Sequence, residues 1–206
     1  MSIIAFSGIA GCGKSTLATI LGCSLSLSVF HEPEEVDWPD IITNQVKYDQ
    51  ASALLAFRQL WAKQFTDAYW SKQNGKSALI DTYFFQIYGY YLGKPNLEWL
   101  LQPDNPYLNL LIQLNELDQT YFYDADYVVL FEVNLEDWRK FLKSRGRNWD
   151  TIPGFAESFA QTQKYVADAT IAHCEKKHIK LVLFKHEFGN PQAQAQKLQA
   201  ILEPLI

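Results

Sequence analysis

The chain is short of cysteine and of positive charge, and it has no long apolar run. Its three cysteines, Cys12, Cys23 and Cys174, are an odd number without metal-ligand spacing. That argues against a disulfide framework or a cysteine-based metal site and predicts a reduced, cytoplasmic setting. Lysine and arginine total 18 against 23 aspartates and glutamates, a formal net charge of −5. That balance does not provide the broad cationic surface used on nucleic acid, so no nucleic-acid partner is expected. No run of about 18 apolar residues occurs, so no membrane span is expected. The first apolar stretch is interrupted by glycines and lacks a basic leader, so it does not read as a signal peptide. Linkers, repeats and low-complexity blocks are missing too. The 206 residues therefore read as a single domain, 1–206, with a full core.

What the chain does have is apolar and aromatic residues, 48% and 15%, enough to exclude a disordered polymer. Apolar runs at 2–7, 27–31, 77–82, 127–133 and 179–185 read as strands covered on both faces. Helical spacing is found at 49–73, where Leu54, Leu55, Phe57, Leu60, Trp61, Phe65, Ala68 and Tyr69 recur. Helices are also expected at 83–92, 106–119, 135–144, 154–177 and 191–203. The alternation predicts an α/β fold: a five-stranded parallel sheet flanked by helices. The proline-containing segments 33–39 and 95–106 read as loops or short helices beside the site. In an open parallel sheet, ligands bind at the carboxyl ends of the strands.

Gly8-Ile9-Ala10-Gly11-Cys12-Gly13-Lys14-Ser15 matches G-x-x-x-x-G-K-[ST], between an expected strand and the opening of an expected helix. Such a loop turns backbone N–H groups onto a nucleotide phosphate, and glycine is needed where a Cβ would block the approach. Gly8, Gly11, Cys12, Gly13, Lys14, Ser15 and Thr16 form the expected ATP-binding surface, aided by the positive end of the helix. Lys14 is placed to reach the β- and γ-phosphates, and the Ser15 hydroxyl to ligate Mg²⁺. Cys12 reads as a small loop residue whose backbone does the binding.

Three further features follow strands. Glu32, in His31-Glu32-Pro33, is placed to accept a proton from an attacking hydroxyl. Asp81 ends the third strand, where a carboxylate holds Mg²⁺ directly or through water, or caps the next helix. Lys143-Ser144-Arg145-Gly146-Arg147 reads as a lid over phosphates, at about 143–153; its bland alternative is a solvated cation cluster at a helix end.

With these residues in place the chain resembles the deoxynucleoside kinases, within the thymidylate-kinase-like phosphate-loop kinases. The resemblance covers most of the chain, through the loop, Glu32-Pro33, Asp81 and the lid, where Asp150 stands for the usual glutamate. It implies a P-loop kinase fold with an arginine lid and Mg-ATP-dependent transfer to the 5′-hydroxyl of a nucleoside. It makes Glu32 the base and brings Lys14, Arg145 and Arg147 onto the phosphates. Trp38 resembles an aromatic lining the nucleoside pocket, and Gln59 the glutamine that reads the base edge. It also implies helices that pair into a homodimer.

One position departs from the pattern. Where the family reads Asp/Glu-Arg, this chain reads Asp81-Thr82. Losing a cation that stabilises the transition state costs several kcal/mol unless another side chain substitutes; Lys143 or Arg139 are the candidates. Two alternatives stay open. One is a thymidylate-like monophosphate kinase, disfavoured by the acidic pair Glu34-Glu35. The other is a catalytically weakened nucleotide-binding protein, favoured by Thr82.

Overall fold

Alternate residues of the central strands face opposite sides of the sheet, and on both sides they are apolar. The strand β1, Ile3–Ser7, is fully buried. Ile3 and Ala5 join one core cluster, while Ile4 and Phe6 join the other. The remaining strands are β2 (Ser28–Phe30), β3 (Ala78–Ile80), β4 (Tyr127–Glu132) and β5 (Lys180–Lys185). All pair in parallel, in the order β2-β3-β1-β4-β5. The registers Ile3↔Ala78 and Ile4↔Tyr127 bring the carboxyl ends of the strands to one edge. The structure, a computed structural model, describes residues 1–95, 97–98, 100–146 and 158–206, leaving aside the side chains of Gln45 and Val46.

The helices are α1 (Lys14–Ser24), α2 (Asp40–Thr43), α3 (Gln45–Tyr48), α4 (Gln50–Gln73), α5 (Phe84–Ile87), α6 (Leu108–Tyr121), α7 (Leu135–Arg145), α8 (Phe159–Lys177) and α9 (Pro191–Leu202). One core holds Leu54, Trp61 and Phe65 of α4 with Phe85 of α5 and Val166 of α8. The other holds Leu17 and Leu21 of α1, Trp138 of α7 and Leu198 of α9. Several boundaries follow from side-chain caps. Asp49 accepts from Ser52 N at 2.9 Å at the start of α4. Asn134 accepts from Asp137 N at 2.9 Å at the start of α7, and Gly146 ends that helix in the left-handed region. Among the described residues, no helix is long and apolar enough to cross a membrane.

The five strands lie where the apolar runs place them. The expected helix at 83–92 is shorter. It stops at Ile87 and gives way to a 3₁₀ turn, Tyr88–Tyr90. Amide side chains of α6 cause this. Asn115 Nδ2 donates to Phe85 O at 2.8 Å and Gln119 Nε2 to Gln86 O at 2.8 Å. Asn115 Oδ1 accepts from Gly89 N at 3.1 Å. These bonds take backbone groups that a continuing helix would pair with each other. The expected helix at 154–177 is described from Phe159 onward. The central part of the expected lid, from 147, lies outside the described residues.

Candidate active site

The segment joining β1 to α1 forms one end of a cleft of about 610 Å³ at the carboxyl edge of the sheet. Its glycines answer to close neighbours. Gly13, at φ 81°, caps α1, and a Cβ there would come within 2.9 Å of His186 Nε2. Gly8, at φ 139°, lies against β4, where a Cβ would meet Phe131 Cβ at 2.9 Å. Lys14 Nζ donates to Gly8 O at 3.0 Å and Ile9 O at 2.9 Å, so the ammonium lies across the loop. Trp138 Nε1 donates to Ala10 O at 2.9 Å and ties the loop to α7. Cys12 is buried, and it lines the cleft together with Ser15, Thr16 and the glycines. His186 packs on Phe141 at a centroid distance of 4.9 Å. Burial lowers its pKa to about 4, so the imidazole beside the loop is neutral.

At the other end, β2 leads into His31 and Glu32. Glu32 Oε1 accepts from Trp61 Nε1 at 2.7 Å, so an indole on α4 holds this carboxylate. Asp81 is 2% exposed and has a partner on each oxygen: Oδ1 accepts from Glu32 N at 2.9 Å, and Oδ2 faces His31 Nδ1 at 2.9 Å. The hydrogen bond to Asp81 raises the His31 pKa, against a smaller opposing effect of burial. His31 Nε2 is 3.2 Å from Thr19 Oγ1, so this imidazole links α1, β2 and β3. Neither the Trp61–Glu32 bond nor the His31–Asp81 pair was foreseen from sequence, since the partners are 29 and 50 residues apart.

Beside Glu32 a chain of aromatic rings lines the cleft. Trp38 meets Phe57 edge-on at 4.8 Å, and Phe57 stacks on Trp61 at 5.3 Å. Trp61 meets Phe84 at 4.8 Å, and Phe84 meets Tyr91 at 5.2 Å. Trp38 Nε1 donates to Pro33 O at 2.7 Å, which fixes its ring over the Glu-Pro turn. Arg58 Nε donates to Asp118 Oδ2 at 2.7 Å and braces α4 against α6 behind the wall.

The cleft thus brings together Gly8 through Thr16, Glu32, Trp38, Asp81 and Arg145. Gln59 is a correction: it is exposed and is not among the residues lining the cleft. Phe57 and Trp61, one helical turn apart, face the cleft, and Gln59 lies two positions from each, on the opposite side at about 100° per residue. Arg139 and Lys143 are also placed elsewhere, in a shallow surface groove with Leu135, Glu136 and Lys140. Thr82 itself is buried, and its hydroxyl faces Phe84 N at 3.4 Å. Among the described residues lining the cleft, the cations are Lys14 and Arg145. Arg145 lies beside the loop, its Cζ 3.2 Å from where a Cβ on Gly11 would sit. Arg147 lies outside the described residues.

No family model matches the chain, and no curated protein matches it. Solved structures do. A deoxyadenosine kinase from M. mycoides with bound dATP aligns over 98% of this chain and 100% of its own, with a TM-score of 0.71 and 18% identity. The same kinase with products dCMP and a flexible dCDP bound aligns over 98% and 99%, at TM-score 0.68 and 16% identity. With bound dCTP the TM-score is 0.65 at 16% identity. The all-parallel five-stranded sheet, its flanking helices and this full-length alignment give the chain a deoxynucleoside-kinase-like fold.

Proposed function

We propose that the chain transfers the γ-phosphoryl group of Mg-ATP to the 5′-hydroxyl of a deoxynucleoside. The observation that carries this reading is the Glu32 carboxylate, held by Trp61 in the same cleft as the phosphate loop and beside a wall of aromatic rings. A carboxylate there accepts the hydroxyl proton as the 5′-oxygen bonds to the γ-phosphorus. The bond from that phosphorus to the bridging oxygen breaks, and ADP leaves. Lys14 exchanges the carbonyls of Gly8 and Ile9 for phosphate oxygens. Arg145 stabilises charge on the transferring group. Trp38, Phe57 and Phe84 offer apolar faces to a planar base.

The donor set suits Mg²⁺, which prefers hard oxygens. Ser15 offers a hydroxyl and Asp81 a carboxylate, both on the cleft. Each Asp81 oxygen already has one partner, and a carboxylate has about four lone-pair sites, so capacity remains for a contact through water. When bound, the ion would supply positive charge that offsets the negative charge of the phosphates. Glu34 lines the cleft, and its charge disfavours an acceptor that already carries phosphate. With Thr82 in place of arginine, fewer cations face the transferring group, and modest turnover is expected.

The test is ADP formation from Mg-ATP with nucleosides, deoxynucleosides and their monophosphates, with Lys14→Ala as control. Stimulation by a deoxynucleoside is the expected result. Stimulation by monophosphates alone would move the chain to nucleotide kinase chemistry. Nucleotide binding with no stimulation by any acceptor would defeat the reading and leave a binding protein.

A further inference from the structure

Glu32 lies past the end of its strand. β2 pairs with β3 as far as Phe30↔Ile80, and the ladder closes with Asp81 N donating to Phe30 O at 3.3 Å. Glu32 is two residues further on, and its N–H turns to a side chain, donating to Asp81 Oδ1 at 2.9 Å. The backbone position of Glu32 thus depends on the direction of the Asp81 carboxylate, which has its own side-chain torsions to be fixed. His31 takes the second oxygen. A carboxylate accepts, so Nδ1–H donates to Asp81 Oδ2 at 2.9 Å. Nε2 of the same ring is 3.2 Å from Thr19 Oγ1, which donates to Ser15 O at 3.0 Å.

One chain of polar contacts therefore runs from Ser15 at the phosphate loop through Thr19, His31 and Asp81 to Glu32. Below it α1 is pressed onto β2, where a Cβ on Gly22 would come within 2.2 Å of Val29 Cγ2. The imidazole is 40% exposed and is not among the described residues lining the cleft, so it touches neither nucleotide nor acceptor there. From this we infer that His31 is a positioning residue for phosphoryl transfer: it fixes the Asp81 carboxylate and through it sets Glu32 at its working distance from the phosphate loop. The inference rests on the reading of Glu32 as the base. Transfer depends steeply on such distances, and a displacement of about 1 Å can cost about 100-fold in rate. A residue that acts in this way changes turnover and leaves substrate affinity alone.

The experiment compares three variants of the full chain with the wild type. His31→Ala removes both contacts. His31→Asn puts an amide N–H as many bonds from Cα as Nδ1 and can keep the Asp81 contact. His31→Gln does the same for Nε2 and can keep the Thr19 contact. Steady-state kinetics use Mg-ATP and the deoxynucleoside that the wild type phosphorylates fastest. The kcat should fall about tenfold or more in His31→Ala and His31→Gln, and recover to within about threefold of the wild type in His31→Asn. KM for ATP and for the acceptor should stay within about twofold in all three. In a Glu32→Gln background, His31→Ala should lower kcat by no more than about twofold, because the group it positions is gone. Unchanged kcat in His31→Ala, no recovery in His31→Asn, or a full further loss in the Glu32→Gln background would overturn the inference and leave the base reading intact. The contrast between His31→Asn and His31→Gln decides the matter even where His31→Ala does not fold. Full turnover in Glu32→Gln alone, or transfer by the wild type to no deoxynucleoside, would defeat the reading of the site itself, and this inference with it.

Discussion

At the phosphate end of the cleft, one unbroken run of the chain, Gly8 to Thr16, lines the surface. At the acceptor end, Glu32 and Trp38, Phe57 and Trp61, and Phe84 and Tyr91 are brought together from three separate segments. The phosphate end tolerates little change in backbone shape, because Gly8 and Gly13 have positive φ and near neighbours. The acceptor end depends on each ring holding the next. A change at the first end, or at Glu32, should therefore remove chemistry, while a change among the rings of the second should tune it.

Lys14→Ala should separate these roles most strongly. Phosphoryl transfer should fall about 10³-fold or more, since a cation on the transferring group is lost. Nucleotide binding should fall much less, because the loop amides remain; equilibrium binding beside turnover checks this. Glu32→Gln should lower kcat about 10²–10³-fold with little effect on ATP binding, as for loss of a general base. Full turnover in that variant would sink the assignment of Glu32 as the base.

Trp61→Phe keeps the stacked ring and removes only the donor to Glu32. Turnover should drop about tenfold and stability by about 1 kcal/mol, read by kinetics and by denaturant unfolding. His186 tests the phosphate end through pH. Its pKa is lowered to about 4 by burial, so the unfolded chain binds the proton more readily. This neutral imidazole's contribution is fully present above about pH 6.5 and fades as pH falls toward 4. His186→Gln should flatten the loss of stability across that window in unfolding curves taken at several pH values. Gln59→Ala should do least, leaving KM and kcat within about twofold, because the side chain is exposed on the far side of α4. A large KM effect there would mean that the acceptor end extends beyond its wall of rings.

The strands and the phosphate loop were legible because their signals are local. Each apolar run is contiguous, and the loop motif needs only its own glycines, Lys14 and Ser15. Glu32 and Asp81 were legible as strand-end carboxylates. The bond that joins them, Glu32 N to Asp81 Oδ1, was not, because it crosses from β2 to β3. The helix at 83–92 was overcalled because Asn115 and Gln119 of α6 intercept its backbone groups, and no property of residues 83–92 announces them. Gln59 was misplaced by helical phase: the amide looked apt for a base, but the apolar contacts of Phe57 and Trp61 decided which face of α4 meets the cleft.

The sequence by itself determined the layered α/β plan and the anion-binding loop, since periodicity and glycine placement act over a few residues. Only the tertiary structure decided what holds Glu32, where Arg139 and Lys143 go, and which rings stand beside Glu32. Those outcomes depend on packing between segments distant in the chain, where distance in space and desolvation, and not residue type, set what a side chain can do.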